Sequence, residues 1–426
     1  MTEEPPFAVE VDLNPYLPED GTDVDAVITV TAAEGAGPGT AEGLEVLVID
    51  CSTSMTGGKI SAARHATLVA IAELRDGVSF AVVAGTHEAR RVFPTDAVSA
   101  RADATTRAEA RAAVRGLRAN GGTAIGTWLT LTKEIAEAHP DAIRHAILLT
   151  DGKNEHESED ALRAAVAACE GTFTCDCRGV GTNWRVDELR LIASALLGTV
   201  DIVADPENLA ADFRAIMGAA MGKSMSEVML RLWTPRDATV RFLKQVAPTV
   251  EDLTGRRTEL DALRGVYPLG SWGAESRDYH LGVRVPAGEV GDEKLAARIA
   301  VVQAGSDAVL SQGKAVVTWT DDSTLSTRIN PRVAGYTGQA ELADAIQEGL
   351  AARKDGDDAT ATARLGRAVA LAEESGNSDT ARLLRGVVEV VDARSGTVRL
   401  RKNVSAEDEM TLDTRSTRTV RVRPKA

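Results

Sequence analysis

Between residues 44 and 221, short apolar runs alternate with longer stretches in which apolar residues return every three or four positions. The first pattern predicts strands covered on both faces and the second amphipathic helices, and their alternation predicts βαβ units on a mostly parallel sheet. Strands are expected at 44–49, broken only by Glu45, at 78–83 and at 145–149. Helices are expected over 59–74, 101–117, 125–138, 159–169, 185–196 and 207–221. Asp205-Pro206-Glu207 marks the start of the last one: aspartate caps free N–H groups and proline occupies the first turn, where its missing donor costs nothing.

On either side of this block the period changes to two. Phe7, Val9, Val11 and Leu13 alternate with other residues as half-buried antiparallel strands do, and so do Tyr279, Leu281, Val283 and Val285. Further strands are expected at 24–31, 228–233, 239–243, 298–303 and 315–320, separated by Gly, Pro and Asp turns. Two N-terminal strands cannot make a stable sheet alone. Residues 5–35 are therefore predicted to pair with residues 225–332, with the Gly/Pro-rich stretch 34–43 as linker.

The expected fold class is α/β: a doubly wound, mostly parallel sheet inserted in an antiparallel β-sandwich and followed by a small helical bundle. The bundle comprises three helices between residues 339 and 393, whose connections Lys354-Asp-Gly-Asp and Gly376-Asn-Ser-Asp are short enough to force antiparallel neighbours. The expected divisions are 1–40 for the N-terminal strands, 43–223 for the α/β block, 225–335 for the rest of the sandwich, 338–395 for the bundle and 396–426 for a polar tail. In that tail, acids at 407–409 precede Thr411, Thr414, Thr417 and Thr419 interleaved with Arg415, Arg418, Arg421 and Arg423. Residues 397–401 are expected to add a strand and the last fifteen or so to be mobile.

A length of 426 residues exceeds what one hydrophobic core supports, and 44% apolar with 26% charged residues is the balance of ordinary folded chains. The net charge of −15 argues against nucleic-acid binding, which depends on Lys and Arg replacing counterions at phosphates. Residues 1–30 hold no uninterrupted apolar run, so neither a secretory segment nor a membrane span is expected, and the protein is expected to be cytoplasmic. Its Arg-rich, Lys-poor, Ala-rich composition suggests a GC-rich bacterial genome. Cys51, Cys169, Cys175 and Cys177 are too few for a disulfide scaffold, and Cys175 and Cys177 fall on alternating positions where a strand buries thiols.

The chemical signal begins where the first central strand ends. Asp50-Cys-Ser52-Thr-Ser54 places a carboxylate and two hydroxyls at alternate positions in a loop leaving the carboxyl end of a parallel strand, where α/β sheets bind ligands. Asn120-Gly121-Gly122-Thr123 is a glycine-rich turn entering a helix, and Leu148-Leu149-Thr150-Asp151-Gly152 ends another central strand on a carboxylate. All three loops fall on one edge of the sheet, and hard oxygen donors there suit Mg²⁺ or Mn²⁺. Phosphate-loop, His-Glu-x-x-His and Gly-x-Ser-x-Gly patterns are absent. His65 on the first helix and His145 beside a strand are expected to be structural.

These residues resemble the von Willebrand factor A family, whose metal-ion-dependent adhesion site is Asp-x-Ser-x-Ser, a downstream Thr and a later Asp-Gly. The resemblance covers residues 43–221 and all five positions. It implies that Asp50, Ser52, Ser54, Thr123 and Asp151 hold a divalent cation, Mg²⁺ with Mn²⁺ or Ca²⁺ as substitutes. The serine hydroxyls would bind directly, the aspartates directly or through water, and Thr123 would move in and out of contact. It also implies a short antiparallel edge strand at 88–93.

Mg²⁺ retains waters, so such a site keeps an exchangeable position that an Asp or Glu of a protein partner can fill. The expected function is a metal-dependent interaction module, a scaffold or adaptor and not an enzyme. Lys153, Glu155 and His156 are candidate partner contacts. Asn154-Glu155-His156-Glu157 is the one nearby acid–base group an enzyme would need, and it is expected to be a polar crest loop. Two other functions are to be distinguished: an adaptor of a metal chelatase or MoxR-type ATPase, and phospho-signalling through Thr414, Thr417 or Thr419.

Overall fold

The structure is a computed structural model describing residues 6–34, 42–306 and 308–422; all but the ends of the expected linker 34–43 lies outside them. The chain forms two compact units, Gly37–Ser226 and the combination of Met1–Ala36 with Glu227–Ala426.

In the unit Gly37–Ser226 the elements follow as β1 (Gly43–Asp50), α1 (Gly58–Glu73), β2 (Ser79–Gly85), β3 (Ala89–Phe93), α2 (Ala104–Arg115), α3 (Ile125–Glu137), β4 (Ile143–Thr150), α4 (Glu159–Cys169), β5 (Thr174–Val180), α5 (Val186–Ala195), β6 (Val200–Val203) and α6 (Leu209–Met221). The sheet order is β6-β5-β4-β1-β2-β3, with Ala100–Arg101 added beside β2. Every pairing from β6 to β2 is parallel, and β3 runs antiparallel at the edge. The continuous apolar runs of β1 and β2 are buried along almost their whole length because helices cover both faces. On one face Ile71 of α1 and Phe213 and Met217 of α6 pack with Phe80 and Ile147 of the sheet. Chain connections depart to one side of β1 toward β2 and to the other toward β4. The carboxyl ends of β1 and β4 therefore flank the switch point where such sheets bind ligands.

Glu45, the one charge in the β1 run, has its register partner in His145 of β4. The imidazole Nδ1 lies 2.9 Å from Glu45 Oε2 and its Nε2 3.1 Å from Asp176 Oδ2. Burial pulls the imidazole pKa down, but Glu45 and Asp176 on its two sides outweigh it and lift it to about 10. Burial likewise acts to raise Asp176, and its pairing with His145 and Arg178 prevails, holding it well below the usual carboxylate range. His145 is thus structural, at the amino ends of the strands, away from the three loops. All four cysteines are buried free thiols, with Cys175 and Cys177 Sγ atoms 3.9 Å apart.

The other unit is built on a five-stranded and a six-stranded sheet. Phe7–Leu13 and Asp23–Ala32 join Ser276–Arg284 and Thr239–Ala247 in the first, while Lys223–Trp233, Arg264–Gly273, Glu293–Gln303 and Val309–Thr320 form most of the second. The sheets pack face to face, with Phe7 meeting Trp272 edge-on at 5.5 Å between ring centroids. Arg264–Gly273 is a strand the alternation did not reveal, since Gly265, Pro268 and Gly270 interrupt it. Helices Pro331–Lys354, Asp358–Glu374 and Ser378–Val387 follow, and Thr397–Leu400 pairs with Val388–Asp392.

The expectation that the last fifteen or so residues are mobile is corrected up to residue 422, the last four lying outside the described residues. Ala406–Arg415 is a helix capped by Ser405, and Leu412 joins the core of the bundle. Beyond it, Val250 N–H donates to Thr417 O at 2.8 Å, Thr419 Oγ1 to Val246 O at 2.7 Å, and Gln339 and Val420 exchange two bonds of 2.8 and 2.6 Å. Arg421 reaches buried Asp278, which also accepts from Thr29, Arg332 and Tyr336. The low apolar content that pointed to mobility is offset by these polar contacts. Thr414 is buried and the Thr419 hydroxyl occupied, so neither is presented as an open phosphorylation site.

Candidate metal centre

Three loops at the carboxyl ends of β1 and β4 and at the start of α3 converge. The first continues β1: Asp50 is fully buried, its Oδ1 accepting Ser52 N–H at 2.7 Å and its Oδ2 accepting the Thr150 hydroxyl at 2.6 Å. A single 3₁₀ turn, Thr53–Met55, follows, pinned by the buried Met55 side chain. Ser52 Oγ and Ser54 Oγ lie 2.9 Å apart, and Ser54 Oγ donates to Asp151 Oδ1 at 2.6 Å.

The second loop is stitched to the first through Thr53 N–H to Gly121 O at 2.9 Å and Asn120 N–H to Cys51 O at 2.7 Å. Gly121 has a φ of +95°, a left-handed conformation that favours glycine. The third loop holds the second in turn. Thr123 N–H donates to His156 Nδ1 at 3.1 Å, and His156 N–H returns to Thr123 O at 3.0 Å. Asn154 Oδ1 accepts Ile125 N–H at 2.8 Å and Glu157 Oε1 accepts Gly126 N–H at 2.6 Å. These side chains satisfy the first amides of α3, whose preceding residue, Ala124, offers no cap of its own.

The position of the missing side chain at Gly152 shows how closely the oxygens gather. A Cβ there would stand 3.2 Å from both Ser54 Oγ and Thr123 Oγ1 and 3.8 Å from Asp50 Oδ2. The structure therefore brings Asp50, Ser52, Ser54, Thr123 and Asp151 together around one small space. Among the described residues no cluster of three His, Cys, Asp or Glu side chains is placed for a metal. The donor set here is two carboxylates and three hydroxyls, the chemistry of a hard cation. Burial pushes the Asp50 carboxyl up against its hydrogen bonds from Ser52 and Thr150, and the neighbouring Asp151 charge adds to the rise. Two carboxylates so placed favour a nearby positive charge.

Of the candidate partner contacts, Lys153 and Glu155 are exposed on the third loop. His156 is also exposed, yet its Nδ1 is engaged by the Thr123 amide and its ring lies against Gly122, where a Cβ would come within 2.2 Å. Two residues escaped the sequence reading. Thr150, whose hydroxyl holds Asp50, was signalled only by its place before Asp151. Lys59 forms an ion pair with Asp151 Oδ2; its proximity to the Gly57-Gly58 turn was the available hint.

Comparison with known proteins gives a consistent picture. A family model described as von Willebrand factor type A domain matches residues 46–202, and one described as von Willebrand factor type A C-terminal domain matches 370–416. The chain is 50% identical to a solved structure of von Willebrand factor type A from Catenulispora acidiphila, with a TM-score of 0.94 and 99% of each chain covered. The ArnB paralog VWA2 from Sulfolobus acidocaldarius shares the fold at 13% identity, with a TM-score of 0.58 over 97% of this chain and all of that one. A Synechocystis protein, sll0103, is 30% identical over 213 residues, 49% of either chain, so the chain spans about half the length of that relative. No helix among the described residues is long and apolar enough to cross a membrane.

Proposed function

The chain belongs to the von Willebrand factor type A family, and on that premise we propose that its three-loop crest binds one divalent cation and, through it, an acidic side chain of a protein partner. Proteins of this family are generally interaction modules, and the crest offers binding chemistry in preference to catalysis. Asn154 and Glu157, two members of the Asn154–Glu157 loop beside the site, are committed to the amides of α3.

Asp50, Ser52, Ser54, Thr123 and Asp151 would hold the cation, with Mg²⁺ favoured by the all-oxygen set. When bound, it supplies a positive centre that attracts a carboxylate more strongly than a neutral amide. The chain's own residues fix that position. Ser52 N–H and Thr150 orient Asp50, and His156 orients Thr123. The observation that carries the reading is the approach of Asp50 and Ser54 oxygens from the first loop and the Thr123 hydroxyl from the second to the gap left by the missing side chain of Gly152 in the third.

Calorimetric titration with Mn²⁺ tests the first half: saturable binding at one site, reversed by EDTA and lost in Asp50→Ala, is expected. Water-proton relaxation of the Mn²⁺ complex tests the second, with acetate as the carboxylate probe displacing bound water. Normal Mn²⁺ binding by a folded Asp50→Ala protein would refute the site. A loaded protein whose relaxation ignores acetate would refute carboxylate capture.

A further inference from the structure

Lys59 is a charged residue, paired directly with Asp151, that the metal reading leaves unused. It is the second residue of α1, and its ammonium pairs with Asp151 Oδ2 while Oδ1 of the same carboxylate takes the Ser54 hydroxyl. Asp151 is fully buried, and the Lys59 side chain keeps only 26% of its exposure. The lysine stem runs past Gly181, whose missing side chain leaves its Cε and Nζ in ordinary contact with the space there. The ammonium is thus held against the hydroxyl–carboxylate ring rather than free in solvent.

We propose that Lys59 sets the charge of the crest, so that the loaded site is a receptor for an anion and not a neutral store for the metal; this rests on the cation-binding reading above. Asp50 and Asp151 carry two negative charges, which a divalent cation alone would cancel. With Lys59 beside them the sum is one positive charge, and an arriving carboxylate completes neutrality. The ammonium has a second, opposite effect: as a like charge beside the ring it repels the divalent cation and weakens its binding. Affinity for metal is lowered and affinity of the loaded site for a carboxylate raised by one residue that ligates neither.

The two effects give a signature that a structural role would not. Lys59→Met keeps the unbranched stem, one heavy atom shorter, and removes its charge. Mn²⁺ alone should bind Lys59→Met at least about tenfold tighter than wild type by calorimetry, the step that about 1.4 kcal/mol represents. Acetate should displace water from the loaded variant only at concentrations at least about tenfold higher. Lys59→Arg, which retains the charge, should return both values toward wild type. Melting in EDTA establishes that each variant is folded, and Lys59→Gln serves if the methionine variant is not.

If wild type binds no Mn²⁺, the metal reading falls and this inference with it. If wild type binds Mn²⁺ while both constants are unchanged in Lys59→Met, the inference alone is overturned. It is also overturned if removal of the charge weakens Mn²⁺ binding, since Lys59 would then hold Asp151 in place instead of setting the charge.

Discussion

Replacing Gly152 with alanine probes the centre where it is least forgiving. The backbone there is not left-handed, so a side chain is tolerated by the main chain itself. The new methyl carbon would stand 3.2 Å from Ser54 Oγ and Thr123 Oγ1, tight enough that both hydroxyls must give by a few tenths of an ångström. Mg²⁺ demands near-ideal octahedral geometry with oxygens at about 2.0–2.1 Å, and protein metal sites hold such distances within roughly 0.2 Å. Displacing two hydroxyls by that much should raise the Mg²⁺ dissociation constant at least about tenfold, or about 1.4 kcal/mol. Ca²⁺, with longer bonds of about 2.3–2.6 Å and looser angles, should lose less. Stability in EDTA should change by less than about 1 kcal/mol, because the lower unfolded-state entropy of alanine returns about 0.4–1 kcal/mol against the tight contacts. Calorimetry with each metal and thermal melts in EDTA measure these quantities. A folded variant with unchanged Mg²⁺ affinity would show that the oxygens around Gly152 are not the ligands.

Two further perturbations test the supporting structure. Asp278→Ala leaves the buried Arg332 guanidinium with only its longer 3.8 Å ion pair to Asp12, and Arg421 and Tyr336 without a shared acceptor; a loss of about 3–5 kcal/mol is expected, and a melting temperature lowered by less than about 2 °C would contradict it. His145→Gln leaves buried Glu45 without its cation and Asp176 with Arg178 alone, and should cost about 3–5 kcal/mol at pH 7. Because folding raises the His145 pKa from 6.5 to about 10, its contribution is complete below pH 6.5 and lost as pH climbs through about 10. The gap between wild type and variant in urea unfolding should therefore narrow from pH 7 to 10, and a constant gap would refute the charged imidazole.

How much of this was legible in the sequence depended on whether a residue's environment is set by its neighbours along the chain. The β1, β2 and β4 runs declare themselves because a strand covered on both faces needs nearly every residue apolar. The one departure, Glu45, was visible, but its partner was not: that His145 stands opposite it follows from the register of β1 on β4. The crest motif could be read because the β1 and β4 loops leave the carboxyl ends of parallel strands and because all five positions match the von Willebrand factor A pattern. The Lys59–Asp151 pair could not, since the two lie 92 positions apart and no periodicity links them. The tail failed for a related reason. Its apolar content is too low for a core of its own, whereas its order comes from Val246, Val250, Asp278, Tyr336 and Gln339, all distant in sequence.

The bonding of the crest also bears on how the proposed centre would be rigid and still receptive. Its amides are spent on holding loops together: Ser52 N–H on Asp50, Thr123 N–H on His156, Ile125 N–H on Asn154 and Gly126 N–H on Glu157. Because His156 is tied to both the N–H and the carbonyl of Thr123, the second and third loops must shift as one body. The serine hydroxyls are bonded differently, to each other and to Asp151. A cation entering the ring would replace those side-chain bonds, each worth a net ~0.5–1.5 kcal/mol, and compete with the Lys59 ammonium for Asp151, whereas the amide bonds between the second and third loops do not involve the serine hydroxyls. Its attraction to Asp50 and Asp151, strengthened where water is excluded, is set against a small and local loss. The resting hydrogen bonds thus keep the oxygens near the positions a ligand would use without committing the backbone to an alternative structure.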